Sequence, residues 1–272
     1  MQGRLSPLIN NKIQSFPWGH WQDEFEICHR LGIRNIEWTI DLFEIDSNPI
    51  FHSRGIREIA GLSESFNVLV PSVTCDFFME NPPFRNMGLK GDSIKSYINK
   101  LLEASFELGA MHIVIPLVDN SSLPSQSDFL SVVDFLLSTS IFETKCDFIF
   151  EVDLIPSDFL ALIRQLDSRY FGVNLDLGNS ASLGWDPTLE VNTLKEFIKN
   201  VHVKDRRFRG SSVPLGEGEV DFYKYFCSLI QSGYSGNYIF QTARSTTGDH
   251  EQELVKNLGF FLDSYSQATA LI

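Results

Sequence analysis

The feature that most constrains the fold is a repeated unit, in which a short β-like segment leads through a turn into an amphipathic helical pattern. Eight such units can be distinguished in the 272 residues. Strands separated by helices pair in parallel through right-handed crossovers. Eight units in a chain of this length predict an α/β fold, a (β/α)8 TIM barrel that forms a single domain over 1–272. The predicted strands are MQGRL at 1–5, IRNIEW at 33–38, VLVPSVTC at 68–75, HIVIPL at 112–117, FIFEVD at 148–153, FGVNLD at 171–176, NVHVKD at 200–205 and NYIFQT at 237–242.

The clearest helical pattern fills residues 92–109, between the predicted third and fourth strands. Apolar or small residues recur there at helical spacing and form one stripe. Gly109 ends the pattern, and Gly32 plays the same part before the second strand, because glycine readily takes the left-handed conformation that closes a helix. The stripe consists of Ile94, Ile98, Leu101, Leu102, Ser105 and Phe106.

A doubly wound open sheet is the alternative for alternating strands and helices. Such a sheet usually carries a glycine-rich phosphate-binding turn after its first strand. The first segment here continues as MQGRLSP and lacks the G-x-G-x-x-G pattern. The barrel is therefore favoured, and the weakly patterned stretch at 206–218 is short enough to be an active-site loop.

Composition and the lack of long apolar runs restrict the location and the partners. No apolar run approaches the eighteen or so residues of a membrane span, and the N-terminus lacks the charged-then-apolar form of a signal peptide. We therefore expect a soluble, cytoplasmic protein with no membrane partner. The four cysteines lie far apart without a C-x-x-C pair, which favours buried thiols over disulfides or a thiolate zinc site. A formal net charge of -13 argues against a nucleic-acid partner, because nucleic-acid binding requires a basic surface.

A basic cluster interrupts this acidic background. It comprises Lys204, Arg206, Arg207 and Arg209, and it is either a solvated loop or a local anion site. His202, Lys204 and Arg206 recur at the strand period of two, so their side chains are expected to share one direction.

Polar side chains stand at the carboxyl ends of the last four predicted strands. They are Glu151, Asp176, His202 and Gln241. In a TIM barrel the active site lies at these ends, so the four side chains would converge at the barrel mouth. Two carboxylates, an imidazole and an amide oxygen form a mostly hard ligand set, which suits a divalent metal ion such as Mn2+, Mg2+ or Zn2+. Each residue alone is more often a helix cap, an ion-pair partner or a core histidine, so the prediction depends on their coincidence.

These residues and their motifs resemble the xylose isomerase-like TIM-barrel family of sugar phosphate isomerases and epimerases, in the superfamily of D-tagatose 3-epimerase and endonuclease IV. The pieces read FEVD at 150–153, DLGN at 176–179, HVKD at 202–205 and PLGEGEVDF at 214–222. The resemblance covers nearly the whole chain and implies a sugar isomerase or epimerase with a small-molecule sugar or sugar phosphate as substrate. In that family the strand-five Glu, strand-six Asp, strand-seven His and a strand-eight Glu hold a divalent metal. The first three carry over to the residues named above.

Two positions depart from the family's pattern. The fourth metal ligand falls on Gln241, whose amide oxygen can ligate a hard cation but brings no negative charge and cannot act as a base. Asn179 stands where members with D-x-x-H place a histidine that contacts substrate or, in the DNA-repair branch, a further metal ion. Asn179 can still hydrogen-bond a hydroxyl, whereas the trinuclear zinc site of the endonuclease IV branch would lack ligands.

The missing strand-eight carboxylate bears on the mechanism that the resemblance implies. The family's epimerases use two carboxylates on opposite faces of a carbon, and Gln241 removes one of them. A 1,2 aldose-ketose shift needs a single base, which moves a proton between adjacent carbons of a metal-stabilised cis-enediolate. The hypothesis is that Glu151 is both metal ligand and base, and that Lys204 polarises the substrate oxygen. Lys204 could equally be a structural partner of Glu217 or Asp205.

Four arginines and one asparagine are the candidate substrate-binding residues. They are Arg4, Asn179, Arg206, Arg207 and Arg244. Phosphate sites in these barrels commonly form in the loops after strands seven and eight, so the arginines there favour a phosphorylated or acidic sugar. Glu37 or Trp38, at the end of the second strand, could line the sugar pocket, although a core position is the simpler interpretation of Trp38.

Two other functions are open at this point. A metal-dependent lyase would use the same chemistry to expel a β-hydroxyl from a polyol or sugar acid, and a new conjugated absorbance would distinguish it. A non-catalytic sugar-binding barrel would account for the amide at Gln241. Barrels of this family often associate, so the resemblance is also compatible with a homo-oligomer.

Overall fold

A sheet of seven parallel strands forms the centre of the computed structural model, which describes residues 1–9, 12–82 and 91–270. The strands are β1 (Asn35–Thr39), β2 (Leu69–Thr74), β3 (His112–Leu117), β4 (Asp147–Val152), β5 (Phe171–Asp176), β6 (Ile198–Val203), β7 (Asp205–Arg206), β8 (Ser212–Val213) and β9 (Asn237–Phe240). The order around the sheet is β1-β2-β3-β4-β5-β6-β9, so consecutive long strands are neighbours. β7 and β8 form a separate antiparallel hairpin directly after β6.

Helices alternate with these strands along the chain. In the described ranges they are α1 (Trp21–Leu31), α2 (Ser53–Phe66), α3 (Phe77–Glu80), α4 (Gly91–Leu108), α5 (Gln126–Leu137), α6 (Pro156–Ile163), α7 (Leu177–Leu183), α8 (Pro187–Leu194), α9 (Phe222–Gln231) and α10 (His250–Thr269). None of these helices combines the length and the apolar character needed to cross a bilayer. The predicted alternation of strands and helices is confirmed.

The N-terminal segment lies between the first and last strands of the sheet and nearly closes the barrel. The Gln2 N–H donates to the Phe240 carbonyl at 3.0 Å, and the Glu37 N–H donates to the Met1 carbonyl at 2.8 Å. The predicted first strand is nevertheless wrong as a regular strand. Gly3 adopts a positive φ of 46°, which a regular strand does not allow, and no strand is formed over residues 1–5. The architecture is the predicted α/β TIM barrel, with this irregular segment in the eighth position.

The other seven predicted strands are confirmed, with ends displaced by no more than two residues. Nearly all their side chains are buried, as expected for parallel strands covered by helices. The helical stripe of α4 is confirmed from Ile94 to Ser105, and Gly109 has the expected left-handed conformation with φ of 73°. Phe106 is a correction, because it is 57% exposed. It lies about 100° further round the helix than Ser105 and so points away from the sheet.

The barrel interior is polar towards its mouth. Hydrogen bonds from Asn200 and His202 on β6 to Glu37 on β1 span the interior, since β1 and β6 are not neighbours in the sheet. The strand register brings polar residues of adjacent strands side by side, in the pairs Glu37 and Ser72, Asn174 and Asn200, and Asp176 and His202. All six are buried. The apolar core therefore lies mainly between the sheet and the helices.

A carboxylate organises the loop that follows the hairpin. The two oxygens of Asp205 accept hydrogen bonds from the backbone N–H groups of Gly216, Gly218 and Val220, at 2.9 to 3.2 Å. A Cβ atom at Gly218 would lie 2.1 Å from the Asp205 carboxylate, so this position requires glycine. The PLGEGEV stretch is thus fixed to the strand that continues from His202.

The cysteines are unpaired, as predicted. Cys28, Cys75 and Cys146 are buried, and Cys227 is partly exposed. Burial raises the pKa of the Cys28 thiol to about 12, so this thiol is unreactive. The expectation of free thiols is confirmed, and burial holds for three of the four.

A buried carboxyl group lies behind the carboxyl end of β5. Glu190 on α8 is 2% exposed and accepts hydrogen bonds from the Ser180 and Tyr225 hydroxyls, both at 2.8 Å. Burial outweighs these hydrogen bonds and raises the pKa of Glu190 to about 7. The folded protein therefore holds a proton on Glu190 at pH values where the unfolded chain has released it.

Replacement of Glu190 by Gln should alter the pH dependence of stability. The native pKa lies above the unfolded value, so the contribution of Glu190 to the free energy of unfolding is greatest at low pH and is lost between about pH 5 and pH 8. The glutamine side chain does not titrate. The difference in unfolding free energy between Glu190→Gln and the wild type should therefore shift in favour of the variant by on the order of 3 kcal/mol over this interval.

Urea unfolding of both proteins at about pH 5 and at about pH 8 measures this change in the unfolding free-energy difference. Glu196→Gln is the matched control, because Glu196 is exposed and its substitution should give a difference that does not vary with pH. A pH-independent difference for Glu190→Gln would contradict the raised pKa.

Candidate metal centre

Glu151, Asp176 and His202 meet at the carboxyl ends of three neighbouring strands, β4, β5 and β6. All three are buried, and one potential ligand atom from each lies within 4.8 Å of the others. The Nδ1 atom of His202 is 3.1 Å from Oε2 of Glu151 and 3.9 Å from Oδ2 of Asp176. The structure therefore brings together three of the four predicted metal ligands.

His202 is held from behind by Glu37. Its Nε2 atom lies 2.8 Å from Oε1 of Glu37, which directs Nδ1 towards the two other carboxylates. Burial lowers the pKa of His202, but Glu37 and Glu151 together outweigh burial and raise it to about 10. Burial raises the pKa of Glu37, yet His202 pulls it below its ordinary value. In the absence of a metal ion, this predicts an imidazolium ion between carboxylates.

A chain of hydrogen bonds fixes these groups in position. Ser72 Oγ donates to Glu37 Oε2 at 2.7 Å, and Asn200 Nδ2 donates to the same oxygen at 3.1 Å and to Asn174 Oδ1 at 2.8 Å. Asn174 Nδ2 then donates to Glu151 Oε2 at 2.8 Å. The chain joins the carboxylate behind the imidazole to the carboxylate in front of it. Such outer contacts orient metal ligands and set their basicity.

The sequence prediction missed this supporting layer. Asn174 stands two residues before Asp176, and Asn200 stands two residues before His202, so the strand period of two places each asparagine on the inward face. That periodicity would have identified both. Glu37 was considered only as a residue of the sugar pocket, whereas it contacts His202 directly.

Asn179 and Asp176 connect the centre to α7. The Asp176 side chain caps this helix by accepting the Asn179 N–H at 2.8 Å, and it still presents Oδ2 to the site. The Asn179 amide donates to Glu151 Oε1 at 2.6 Å and accepts from Arg206 Nη1 at 2.7 Å. Asn179 thus orients Glu151 and contacts the guanidinium group of Arg206.

Gln241, the fourth predicted ligand, lies against Lys204. The buried Lys204 ammonium is 2.8 Å from Gln241 Oε1 and 3.3 Å from Asp176 Oδ2. Its contacts are therefore with these two residues rather than with the partners considered from the sequence, Glu217 or Asp205. Gln241 was predicted to ligate a metal ion; in this structure its oxygen accepts a hydrogen bond from the Lys204 ammonium group.

Arg206 lies across the barrel mouth between two cavities. One, of about 330 Å³, is lined by Asp119, Asp153, Asn179, Ser182 and both Arg206 and Arg209, with two apolar residues. The other, of about 220 Å³, is lined by Lys204 and Arg206 together with residues of the N-terminal loop and β8. Burial decreases from His202 through Lys204 to Arg206, so these three side chains form a series from the interior to the mouth.

The remaining predicted substrate-binding arginines have other surroundings. Arg207 is exposed and lines neither cavity. Arg4 donates to the carbonyls of Thr242 and Gln2, and Arg244 donates to the carbonyls of Ile13 and Ser6. Each of these two guanidinium groups keeps one buried Nη2 atom without a partner among the described residues. Their main contacts join the N-terminal segment to the end of β9.

The donor set fits a divalent ion. Two carboxylate oxygens and one imidazole nitrogen converge, and the histidine carries a carboxylate on its second nitrogen, the usual arrangement for a metal-bound imidazole. Binding requires His202 Nδ1 to be deprotonated. Three protein ligands also leave coordination positions for water or substrate.

Comparison with known proteins agrees with the fold and the motifs. The model of the family Xylose isomerase-like TIM barrel matches residues 140–264, a range that contains all four predicted metal ligands. The matched range is a little under half of the chain. The resemblance drawn from the sequence motifs is confirmed.

The proteins to which this chain is similar include sugar epimerases. L-ribulose-5-phosphate 3-epimerase UlaE of Shigella boydii serotype 18 is 36% identical over 103 residues, which cover 37% of this chain and 36% of the relative. The match therefore spans just over a third of the curated relative's length. D-psicose 3-epimerase of Clostridium cellulolyticum H10, solved with D-tagatose, is 14% identical with a TM-score of 0.72 and 90% and 93% coverage. The IOLI protein with a bound zinc atom is 15% identical, with a TM-score of 0.70 and 91% and 93% coverage.

Replacement of Glu37 by Gln should weaken metal binding. The glutamine oxygen can still accept a hydrogen bond from His202, but the negative charge that makes the imidazole a stronger ligand is lost. We expect a Mn2+ dissociation constant about 10- to 100-fold higher, measured by titration calorimetry. Glu103→Gln, on the exposed face of α4, should leave the constant unchanged. An unaltered affinity in Glu37→Gln would show that the outer carboxylate does not tune the site.

Proposed function

We propose that this chain is a divalent-metal-dependent isomerase or epimerase of a sugar or sugar phosphate. The observation that carries the proposal is the convergence of the Glu151, Asp176 and His202 ligand atoms within 4.8 Å, near two cavities that Arg206 lines. The activities of similar proteins support it, since one is an epimerase of a ketose phosphate and another is a ketose epimerase. Mn2+, Mg2+ and Zn2+ are the candidate ions.

Glu151 is the proposed base. When bound, the divalent ion would polarise a substrate carbonyl and stabilise the negative charge that develops on its oxygen. Glu151 takes the proton from the carbon next to that carbonyl. Asn174 and Asn179 each hold one of its oxygens, which fixes the direction of the carboxylate. His202 and Asp176 hold the ion, and Gln241 completes or borders its ligand set.

Lys204 supplies a fixed positive charge beside the reacting atoms. The Gln241 oxygen and Asp176 hold its ammonium group at the inner end of the smaller cavity. An ammonium in this buried position favours negative charge on a substrate oxygen. Arg206 lies closer to the surface than Lys204. Together with Asn179, it is the proposed contact for a phosphate or carboxylate group on the substrate.

The cysteines bear on the cellular location of the protein. The four free cysteines are compatible with a reducing compartment, so we propose the cytoplasm. The acidic net charge of -13 makes nucleic acid an unsuitable partner. Association into a homo-oligomer stays part of the proposal, with chromatography coupled to light scattering as its measurement.

Removal of the base tests the proposed reaction. Wild-type protein loaded with Mn2+ should interconvert at least one sugar in a panel that includes L-ribulose 5-phosphate and D-tagatose. Glu151→Gln should lower the turnover number by at least about 100-fold, because the amide cannot accept the proton. Glu103→Gln is again the control.

Product analysis by NMR follows both the turnover and the type of product. Failure of the metal-loaded wild type to convert any sugar in the panel would refute the proposal. A new conjugated absorbance in place of an epimer or isomer would instead assign the lyase chemistry considered above.

Arg206→Ala tests the preference for an anionic substrate. Loss of the guanidinium should raise KM about ten-fold or more for a phosphorylated sugar and change it little for the unphosphorylated one. Arg207→Ala is the matched variant, because Arg207 follows directly in the chain but lines neither cavity. Equal effects of Arg206→Ala on both sugars would exclude an anion contact at this position. An equal loss in Arg207→Ala would extend the anion site to that residue.

A further inference from the structure

Inversion at a carbon next to a carbonyl needs two proton-transfer groups. One group takes the proton from one face of the carbon, and the other returns a proton to the opposite face. Glu151 can serve one face, but Gln241 cannot serve the other because an amide does not exchange protons in this way. The strand that carries Gln241 therefore does not provide the second group.

Asp76 is a buried carboxyl group at the same mouth of the barrel. It follows the last residue of β2 by two positions and is 3% exposed. Its Oδ1 atom accepts from the Thr74 hydroxyl at 3.0 Å, whereas its Oδ2 atom has no partner in the described part of the chain. Asp76 also precedes α3 without capping it through its side chain.

The position of Asp76 in the barrel is opposite the strand of His202. With the N-terminal segment counted as the first position, β2 is the third and β6 is the seventh of eight. The three metal ligands come from the fifth, sixth and seventh positions. Glu151 and Asp76 therefore stand at different points of the same mouth, two strand positions apart.

The electrostatic surroundings of Asp76 are those of a proton donor. Burial is the main cause that raises the pKa of Asp76 to about 7; the Thr74 hydrogen bond and Arg4 lower this pKa, while the fields of Glu151 and Glu37 raise it. A carboxyl group in this state is partly protonated near neutral pH and can give up its proton readily.

Glu37 and Asp41, two other buried carboxylates near the ends of the strands, do not meet these conditions. Glu37 uses both oxygens on His202, Ser72 and Asn200. Asp41 accepts the backbone N–H groups of Phe16 and Phe43. In the described ranges, Asp76 is the buried carboxylate with an oxygen that lacks a partner. Structural carboxylates in protein interiors normally have both oxygens satisfied.

We propose that Asp76 is the second catalytic acid-base residue of this site, the group that returns a proton to the face of the carbon opposite to that served by Glu151. This inference rests on the proposed function. Glu151 takes a proton as the carbon-hydrogen bond breaks, and the electron pair moves towards the carbonyl oxygen. The Asp76 carboxylic acid then gives its proton to the opposite face, and the carbonyl re-forms. Glu151 ends protonated and Asp76 ionised, and exchange with water restores both.

Deuterium exchange distinguishes the role of Asp76 from that of Glu151. Metal-loaded Asp76→Asn is incubated in D2O with L-ribulose 5-phosphate and with D-tagatose, and NMR follows both exchange of the substrate proton and formation of the epimer. Epimer formation should fall by at least about 100-fold, whereas exchange from the face served by Glu151 should stay within a few-fold of the wild-type rate. Glu151→Gln should lose both from the same starting sugar. Asp76→Glu, which retains an acid, should recover part of the epimerisation.

The matched control is Asp147→Asn. Asp147 is a buried carboxylate at the opposite end of β4, paired with His112 and Lys199, so its loss should affect stability but leave the ratio of epimerisation to exchange unchanged. Retention of epimerisation in Asp76→Asn would refute the role of Asp76. Parallel loss of exchange and epimerisation in Asp76→Asn, with metal content intact, would also refute it. Absence of both processes in the wild type would refute the proposed function, and the role of Asp76 with it.

Discussion

The buried contact between His202 and Glu37 is the interaction on which the rest of the centre depends. It joins β1 and β6 across the barrel interior, and it turns the Nδ1 atom of the imidazole towards Glu151 and Asp176. An isolated charge in this position would be strongly unfavourable. The hydrogen bonds of Ser72 and the two asparagines distribute that charge over several strands.

Charge balance explains how Gln241 fits the site. Glu37, Glu151 and Asp176 contribute three negative charges, which a divalent ion and the Lys204 ammonium would neutralise when His202 is uncharged. A fourth carboxylate at position 241 would leave an excess negative charge in a buried place. The amide instead holds Lys204 through its oxygen at 2.8 Å. The departure from the family's pattern and the position of the lysine thus belong to one arrangement.

The sequence predicted the fold and the convergence of three strand-end side chains, because each depends on local periodicity and on chain order. The carboxyl ends of β4, β5 and β6 converge in any barrel of this topology, so Glu151, Asp176 and His202 could be placed together. The irregular first segment was not foreseen, because one glycine with a positive φ decides it. The contacts of Lys204 and Arg244 depend on which atoms lie nearby in three dimensions, and a linear pattern carries no such information.

The polar layer inside the barrel has a consequence for the stability of the whole molecule. Hydrocarbon side chains of similar volume in place of Glu37, Asn174, Asn200 and His202 would avoid the desolvation of buried polar groups, and such replacements often strengthen a fold. They would also abolish the centre. Selection for thermal resistance alone would therefore drive this barrel towards an inert scaffold, and variants that melt at higher temperature should be examined first for damage to this layer.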